Sequence, residues 1–565
     1  MTKKLYLPLL MAMVVALFSS CSKKMGELSA DYFTVTPQVL EAVGGKVPAT
    51  INGKFPEKYF NKKAVVEVTP VLKWNGGEAK GQPATFQGEK VEGNDQTISY
   101  KMGGSYTMKT SFDYVPEMAK SELYLEFKAT IGKKVVTIPA VKIADGVIST
   151  SELVNNTLGS ANPALGEDAF QRIIKEKHDA NIMFLIQQAN LRAQELNSDA
   201  IKEWKELVKN ADEAPNQNVA IEISAYASPD GGVSLNTTLA ENREGNTTKM
   251  LSKDLKKAKI DAPIDAKYTA QDWEGFQELV SKSNIQDKEL ILRVLSMYQD
   301  PEQRESEIKN ISAVYKELAN TILPQLRRSR LTLNYEIIGK SDEEIAKLAS
   351  SNPSELNVEE LLYAATLTSD PAKQEVIYTQ ATKQFPNDYR GYNNLGKLAY
   401  QAGNIDKAES YFKKAASVNA TPEVNMNLGL ISLMKGDKAA AEAYFGKAAG
   451  TKELGESMGN LYIAQGQYER AVNSFGDSKT NSAALAQILA KDYNKAKNTL
   501  ANVERPDAYT DYLMAVLGAR TNNSSMVTSS LKSAVAKDSS LAKKAATDLE
   551  FAKFFTNADF MNIIK

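Results

Sequence analysis

The stretch "YNNLGKLAYQAGNIDKAESYFKKAASVNA", residues 392–420, decides how the last third of the chain folds. From about residue 355 the sequence is Ala-rich and helical in pattern. Residues of this stretch then return at a fixed period. Gly396 recurs at Gly429 and Gly459, and Leu395 at Leu428. Ala408, Phe412 and Ala415 recur one period on as Ala441, Phe445 and Ala448. Ala471 and Phe475 follow after a slightly shorter interval. Backwards, Phe412 and Ala415 match Tyr378 and Ala381, one period earlier, and Pro386 closes that unit. Small residues at fixed positions let paired helices approach, and aromatics fill the space between neighbouring pairs.

An aromatic residue, Leu-Gly, a small residue, then Ala, Phe and Ala at this period resembles the tetratricopeptide repeat (TPR). Later units are degenerate: "ALAQILAKDYNKAKNTL" keeps Ala496 and has Leu500 at the Phe position. The resemblance implies an all-α solenoid with a groove that binds proteins or peptides. No Arg or Lys cluster at helical spacing marks a carboxylate clamp, so the sequence names no groove residues.

Upstream, strand and helix patterns alternate. "DANIMFLIQQANL" ends a strand-like run, and "SDAIKEWKELVKNADE" has a cap signal and helical apolar spacing at Ile201, Trp204, Leu207 and Val208. "NVAIEISAYAS" (218–228) alternates as a strand, "SLNTTLAENREGNTTKMLSKDLKKAKI" (234–260) reads as a helix, and "RLTLNYEII" (330–338) as a last strand. The predicted order is β-α-β-α, a helical insert, then β. This order, with "IEISAYASPDGGVSLNTTLAENRE" and "LRRSRLTLNYEI", resembles the OmpA-like domain of bacterial envelope proteins over about 160 residues. Tyr226, Asn236, Leu239 and Arg243 match that family's motif, while its Asp falls on Ser228. The "ASPDG" loop and the insert "DWEGF" (272–276) resemble a variant branch.

The resemblance implies a site for peptidoglycan, whose stem-peptide diamino acid offers carboxylates and an ammonium. Arg243 would take a carboxylate with its planar fork. Arg330 matches another basic position, and Ser228 is uncharged where the family has its acid. Loss of the acid removes about 1.5–3 kcal/mol of charge-assisted bonding. Asp230, two residues on, either restores that charge or points elsewhere. Asn236 either touches ligand or holds the loop.

Residues from about 26 to 150 are β-rich. "AVVEVTPVLKW" (64–74), "TISYKM" (97–102), "YTMKTSFDYV" (106–115), "ELYLEFKATI" (122–131) and "KKVVTIPAVKI" (133–143) predict short strands. "IGKK" is a hairpin turn candidate between the last two. This spacing predicts a β-sandwich, with a spacer or interaction role.

At the very start, Lys3 and Lys4 precede an apolar run from Leu5 to Phe18, then Ser19-Ser20-Cys21. A charged n-region, a short h-region and small residues are the marks of a secretory signal. With the chain's one Cys directly after them, the segment resembles a bacterial lipoprotein signal. That implies cleavage before Cys21 and lipid on its thiol; the other reading is a plain secretory signal. "SKKMGE" after the Cys is basic, which favours a periplasm-facing protein over a surface-exported one.

Composition trims the function classes. Sixty-eight basic and 69 acidic residues cancel, so no basic field argues for nucleic acid. One His and one Cys cannot furnish a His/Cys zinc site. A Cys–His nucleophile pair would need Cys21, and His178 in "IIKEKHDAN" reads as a surface residue. No phosphate-binding glycine loop and no paired acids in a recognisable frame are present.

The sequence therefore predicts a multidomain chain: signal peptide 1–20, β-sandwich 21–150, linker 151–178, α/β OmpA-like domain 179–340 with a helical insert at about 256–326, and TPR solenoid 341–565. The expected function is a non-enzymatic scaffold, lipid-anchored through Cys21 to the outer membrane of a Gram-negative bacterium, with proteins or peptides as partners. A peptidoglycan tether using Ser228, Asp230, Asn236, Arg243 and Arg330 is the alternative, and a hydrolase of unknown kind the second. No cofactor, metal or catalytic residue is expected.

Overall fold

The computed structural model describes residues 25–565. Cys21 and the signal-like segment lie outside the described residues. The chain forms two compact units. One runs to Glu167 and resumes at Ser369; the other is Asp168–Thr368.

In the first unit, the strand-rich region has ten strands. They are β1 Phe33–Thr36, β2 Val39–Glu41, β3 Lys46–Phe55, β4 Ala64–Trp74, β5 Gly77–Lys80, β6 Ala84–Gly88, β7 Gln96–Ile98, β8 Gly104–Asp113, β9 Ser121–Ile131 and β10 Lys134–Ile148. One sheet is ordered β1-β3-β8, the other β2-β10-β9-β4-β6-β7, with β5 beside β4. Strand β3 alternates buried and exposed residues almost without break, the mark of a strand with one wet face. Residues of both sheets share one apolar core, and Phe33 of β1 meets Phe127 of β9 at 5.9 Å between ring centroids. The hairpin turn sits at Gly132, φ 60°, between the paired residues Ile131 and Lys134.

From residue 371 the chain is a run of helices, most in antiparallel pairs. Tyr389–Gln401 pairs with Ile405–Val418, Pro422–Met434 with Lys438–Phe445, Leu454–Ala464 with Tyr468–Phe475, Asn481–Leu489 with Tyr493–Ala501, and Ala508–Arg520 with Ser524–Lys537. The repeated glycines have a steric cause. A Cβ on Gly396, Gly429 or Gly459 would stand 2.5, 2.4 or 2.6 Å from Phe412, Phe445 or Phe475. Each ring is almost fully buried, and burying a Phe stabilises by about 1.5–3 kcal/mol. The first three pairs turn on Gly403, Gly436 and Gly466 at φ 75–79°. In the next two, Lys491 and Asn522 adopt that left-handed conformation instead.

The array packs on the strand-rich region within this unit. Arg520 donates to Glu41 at 2.8 Å and also binds Glu550, and Lys438 donates to the Gly44 carbonyl at 3.0 Å. The expected linker 151–178 differs in structure. Its first part, residues 151–167, makes short helical turns and an extended run packed into the array. Its last part is strand: β11 spans Ile173–Met183. Polar and small residues at 151–167 carry no periodicity because their partners lie hundreds of residues away.

The second unit holds β11, the helix Asp199–Glu213, β12 Gln217–Tyr226, the helix Val233–Ala258, β13 Ile264–Thr269, a helical insert and β14 Arg328–Ile338. The sheet order is β11-β14-β12-β13, with β12 and β13 parallel and the other pairs antiparallel. β13 falls where the sequence predicts helical insert. It is an edge strand without buried residues, so its pattern carries no strand signal. The insert helices from Trp273 to Leu326 build their own core around Phe276, Val280, Ile291 and Leu295. Helices Asp342–Ser351 and Val358–Thr366 belong to this unit, so its boundary lies beyond the expected 340.

Candidate functional site: a groove filled by the chain itself and a closed cleft

Two places carry the chemistry of a site. The first is in the repeat array. In the first four pairs the first helix carries a polar residue two positions before its small packing residue: Asn394 before Gly396, Asn427 before Gly429, Ser457 before Gly459 and Ser482 before Ala484. These side chains are buried and form one line along the groove.

The chain's own segment lies on that line. The Asn427 carboxamide accepts from the Ala164 N–H at 2.7 Å and donates to the Ala164 carbonyl at 2.8 Å. The Asn394 carboxamide does the same to Gly166, at 2.8 and 3.0 Å. Each asparagine thus pairs with a backbone as a neighbouring strand would. Asn393 adds a bond to the Ala164 carbonyl at 3.0 Å and accepts one from Asn427 at 2.9 Å. Further along, Tyr400 donates to the Leu158 carbonyl at 2.9 Å and Ser482 to the Thr157 hydroxyl at 2.8 Å. Lys397 donates to the Pro163 carbonyl at 2.8 Å; burial holds its ammonium below the usual lysine range, and Glu453 opposes this.

The segment presents small residues at several of these places, beside the buried Leu158. Ala161 and Ala164 are buried against the array, and a Cβ on Gly166 would press on Arg390 at 2.9–3.1 Å. These groove asparagines were legible only as recurrent spacing within the repeat, two positions before each glycine.

The second place is the OmpA-resembling region. Ser228, Asp230, Asn236, Leu239 and Arg243 come together around a cavity of about 30 Å3, the room of a single water. Arg243 is 1 % exposed. Its guanidinium donates to the carbonyls of Gln188 at 3.0 Å, Tyr226 at 2.8 Å and Leu185 at 3.3 Å. Burial, with the Arg327 charge, pulls its pKa down to about 10, and Asp230 acts the other way. Asn236 holds the loop: it donates to the carbonyls of Ser228 and Gly231, while the helix start at Gly232 has no side-chain cap.

Asp230 is engaged as well. It accepts from Ser228 at 2.6 Å and pairs with Arg327 at 2.8 Å, and Arg327 also donates to Ser228. Arg330 does not line the cavity; it lies beside the Tyr226 ring, 5.7 Å from its centroid. The sequence reading missed Arg327, Arg328 and Asp272. Arg328 and Asp272 form a buried pair at 2.9 Å, and Asp272 also caps the helix Trp273–Lys282. The run "LRRSR" and the "DWEGF" insert were the available signals. His178 sits in β11, half-buried and stacked on Tyr335. Among the described residues no group of His, Cys, Asp and Glu is placed to hold a metal, and no helix is long and apolar enough to cross a membrane.

Comparison with known proteins bears on the array. A family model described as Tetratricopeptide repeat matches residues 377–422 and 393–453. Residues 377–453 of the array thus carry tetratricopeptide repeats. Among solved structures, a tetratricopeptide repeat protein from Parabacteroides merdae is similar at 15 % identity, over 37 % of this chain and 91 % of that one, with a TM-score of 0.29. PilW, described as a type IV pilus biogenesis factor, is similar at 15 % identity, over 40 % and 98 %, with a TM-score of 0.25. PilF of Pseudomonas aeruginosa is similar at 12 % identity, over 40 % and 98 %, with a TM-score of 0.26. No curated protein matches the chain. Repeats of this type imply protein partners and a scaffold role.

Proposed function

We propose that the protein is a non-enzymatic envelope scaffold. It is lipid-anchored at Cys21 to the outer membrane, faces the periplasm and holds extended protein segments in its TPR groove. The observation that carries this reading is the asparagine line, which already grips one extended backbone, at Ala164 and Gly166, through paired hydrogen bonds. Such bonds read backbone and small side chains, the chemistry of a segment-holding module. No cofactor takes part. The OmpA-like region serves as a folded envelope module rather than a stem-peptide clamp. Arg243 spends its donors on three backbone carbonyls, and Asp230 is paired with Arg327.

The test is fractionation of cells expressing wild type and Cys21→Ser, with a cell-wall pull-down of the purified chain. The expected result is membrane association that needs Cys21 and no retention on peptidoglycan. A Cys21→Ser protein that stays in the membrane fraction overturns the anchor. Retention of wild type but not Arg243→Lys on peptidoglycan overturns the scaffold reading in favour of the tether.

A further inference from the structure

The strand-rich region carries a basic concavity that the scaffold role does not use. Lys58, Lys62, Lys63 and Lys90, with Tyr59 and Tyr100, line about 360 Å3, and no acidic side chain lines it. Among the described residues, Lys58, Lys63 and Lys90 make no ion pair. Lys62 approaches Glu89 only at 3.4 Å and rests over the Tyr100 ring. Four ammonium groups around one hollow repel each other unless an anion joins them. Lys58 is held at φ 61°, a left-handed backbone that a lysine adopts at some cost, with its N–H on the Tyr100 carbonyl. Beyond Tyr100 in the same turn, Met102 is 76 % exposed.

A second observation fixes what this face meets. The Tyr59 hydroxyl donates to the Gly26 carbonyl at 2.6 Å, so the start of the described chain is stapled to the wall of the hollow. Cys21 is five residues before Gly26. Five residues span at most about 18 Å, so a lipid on Cys21 keeps Gly26, and the Tyr59 wall of the hollow bonded to it, within about that reach of the membrane surface.

We infer that this lysine face docks on the phosphate-bearing headgroups of the membrane that anchors the chain, with Met102 entering the interfacial layer. Basic side chains near an anionic leaflet attract it additively, each by about fivefold in affinity, and the attraction falls within a Debye length. The inference rests on the lipid-anchor reading, and its test is independent of the lipid. The mature chain carrying Cys21→Ser is sedimented with vesicles of phosphatidylglycerol and phosphatidylethanolamine, and with vesicles of phosphatidylcholine alone.

Binding to the anionic vesicles only, weakened by salt, is expected. The variant K58E/K63E/K90E should lose it, about a hundredfold or more at fivefold for each lysine. K497E/K532E/K543E changes the net charge equally on the repeat array and should retain it. Equal losses in the two variants would reduce the effect to net charge and overturn the docking face. So would absence of wild-type binding. Glycerol phosphate binding without vesicle binding would make the hollow a small-anion site and also overturn it. A negative vesicle result, with lipid found on Cys21 by mass spectrometry, sinks the docking face and leaves the anchor standing.

Discussion

The groove and the central cleft are both occupied from within, and they are occupied differently. In the cleft, Arg243 satisfies three carbonyls of its own unit, and Asp230 is held by Arg327. The bonds there join parts of the fold to one another. In the groove, Asn394 and Asn427 satisfy the backbone of a segment, and any extended backbone of small residues offers the same groups. A motif residue can thus survive as architecture in one region while the other keeps a recognition surface with a resident occupant.

The largest expected effect tests the cleft. Arg243→Ala removes three hydrogen bonds, to the carbonyls of Gln188, Tyr226 and Leu185, each worth about 1 kcal/mol, and opens a cavity; about 3–5 kcal/mol of stability should be lost in denaturant unfolding. A loss below about 1 kcal/mol would show that the guanidinium is not structural. Next, the double variant N394A/N427A removes four bonds to Ala164 and Gly166, at a loss of about 2–4 kcal/mol. Hydrogen exchange should then quicken at those two amides and stay unchanged over β11–β14. Unchanged exchange at Ala164 would mean the asparagines do not hold the segment. Smaller still, Gly429→Ala should cost about 1–3 kcal/mol, because its Cβ would overlap Phe445 and force the helices apart.

Alkaline pH separates the regions by sign. Burial raises Tyr468, in the array, to about 12, so its folded form holds a proton that the unfolded chain releases near 10. Its contribution is full below pH 10 and is lost as pH rises towards 12, by up to about 1.4 kcal/mol per unit. Arg243 runs the other way: burial lowers it to about 10, below its unfolded value, so rising pH relieves the cost of its buried charge and adds stability across that same window. In a Trp74→Phe variant the remaining Trp204 and Trp273 report only the central unit. Denaturant midpoints by tryptophan fluorescence should therefore fall less, between pH 10 and 12, than midpoints by helical circular dichroism. Coincident shifts would remove the contrast.

Legibility in the sequence followed locality. Gly396 with Phe412, and their counterparts Gly429 with Phe445, were readable because one helix pair contains both members. Asn236, Leu239 and Arg243 were readable as spacing, and the structure does bring Ser228, Asp230, Asn236 and Arg243 to one place. Their bonding was not readable, since Arg243 closes on carbonyls far back in the chain, at Leu185 and Gln188. The segment at 157–167 was invisible for the same reason: its small residues have meaning only against asparagines in the array. Exposed β13 gave no alternation to find.

That segment also sets an order of events. Ala164 is 263 residues ahead of Asn427 in the chain. At about 5–20 residues per second of synthesis, it waits roughly 13–50 s for its acceptor. Throughout that interval the nascent chain carries an unclaimed extended strand of small residues. A carrier that shields such strands during biogenesis would therefore have its substrate here, well before the groove exists.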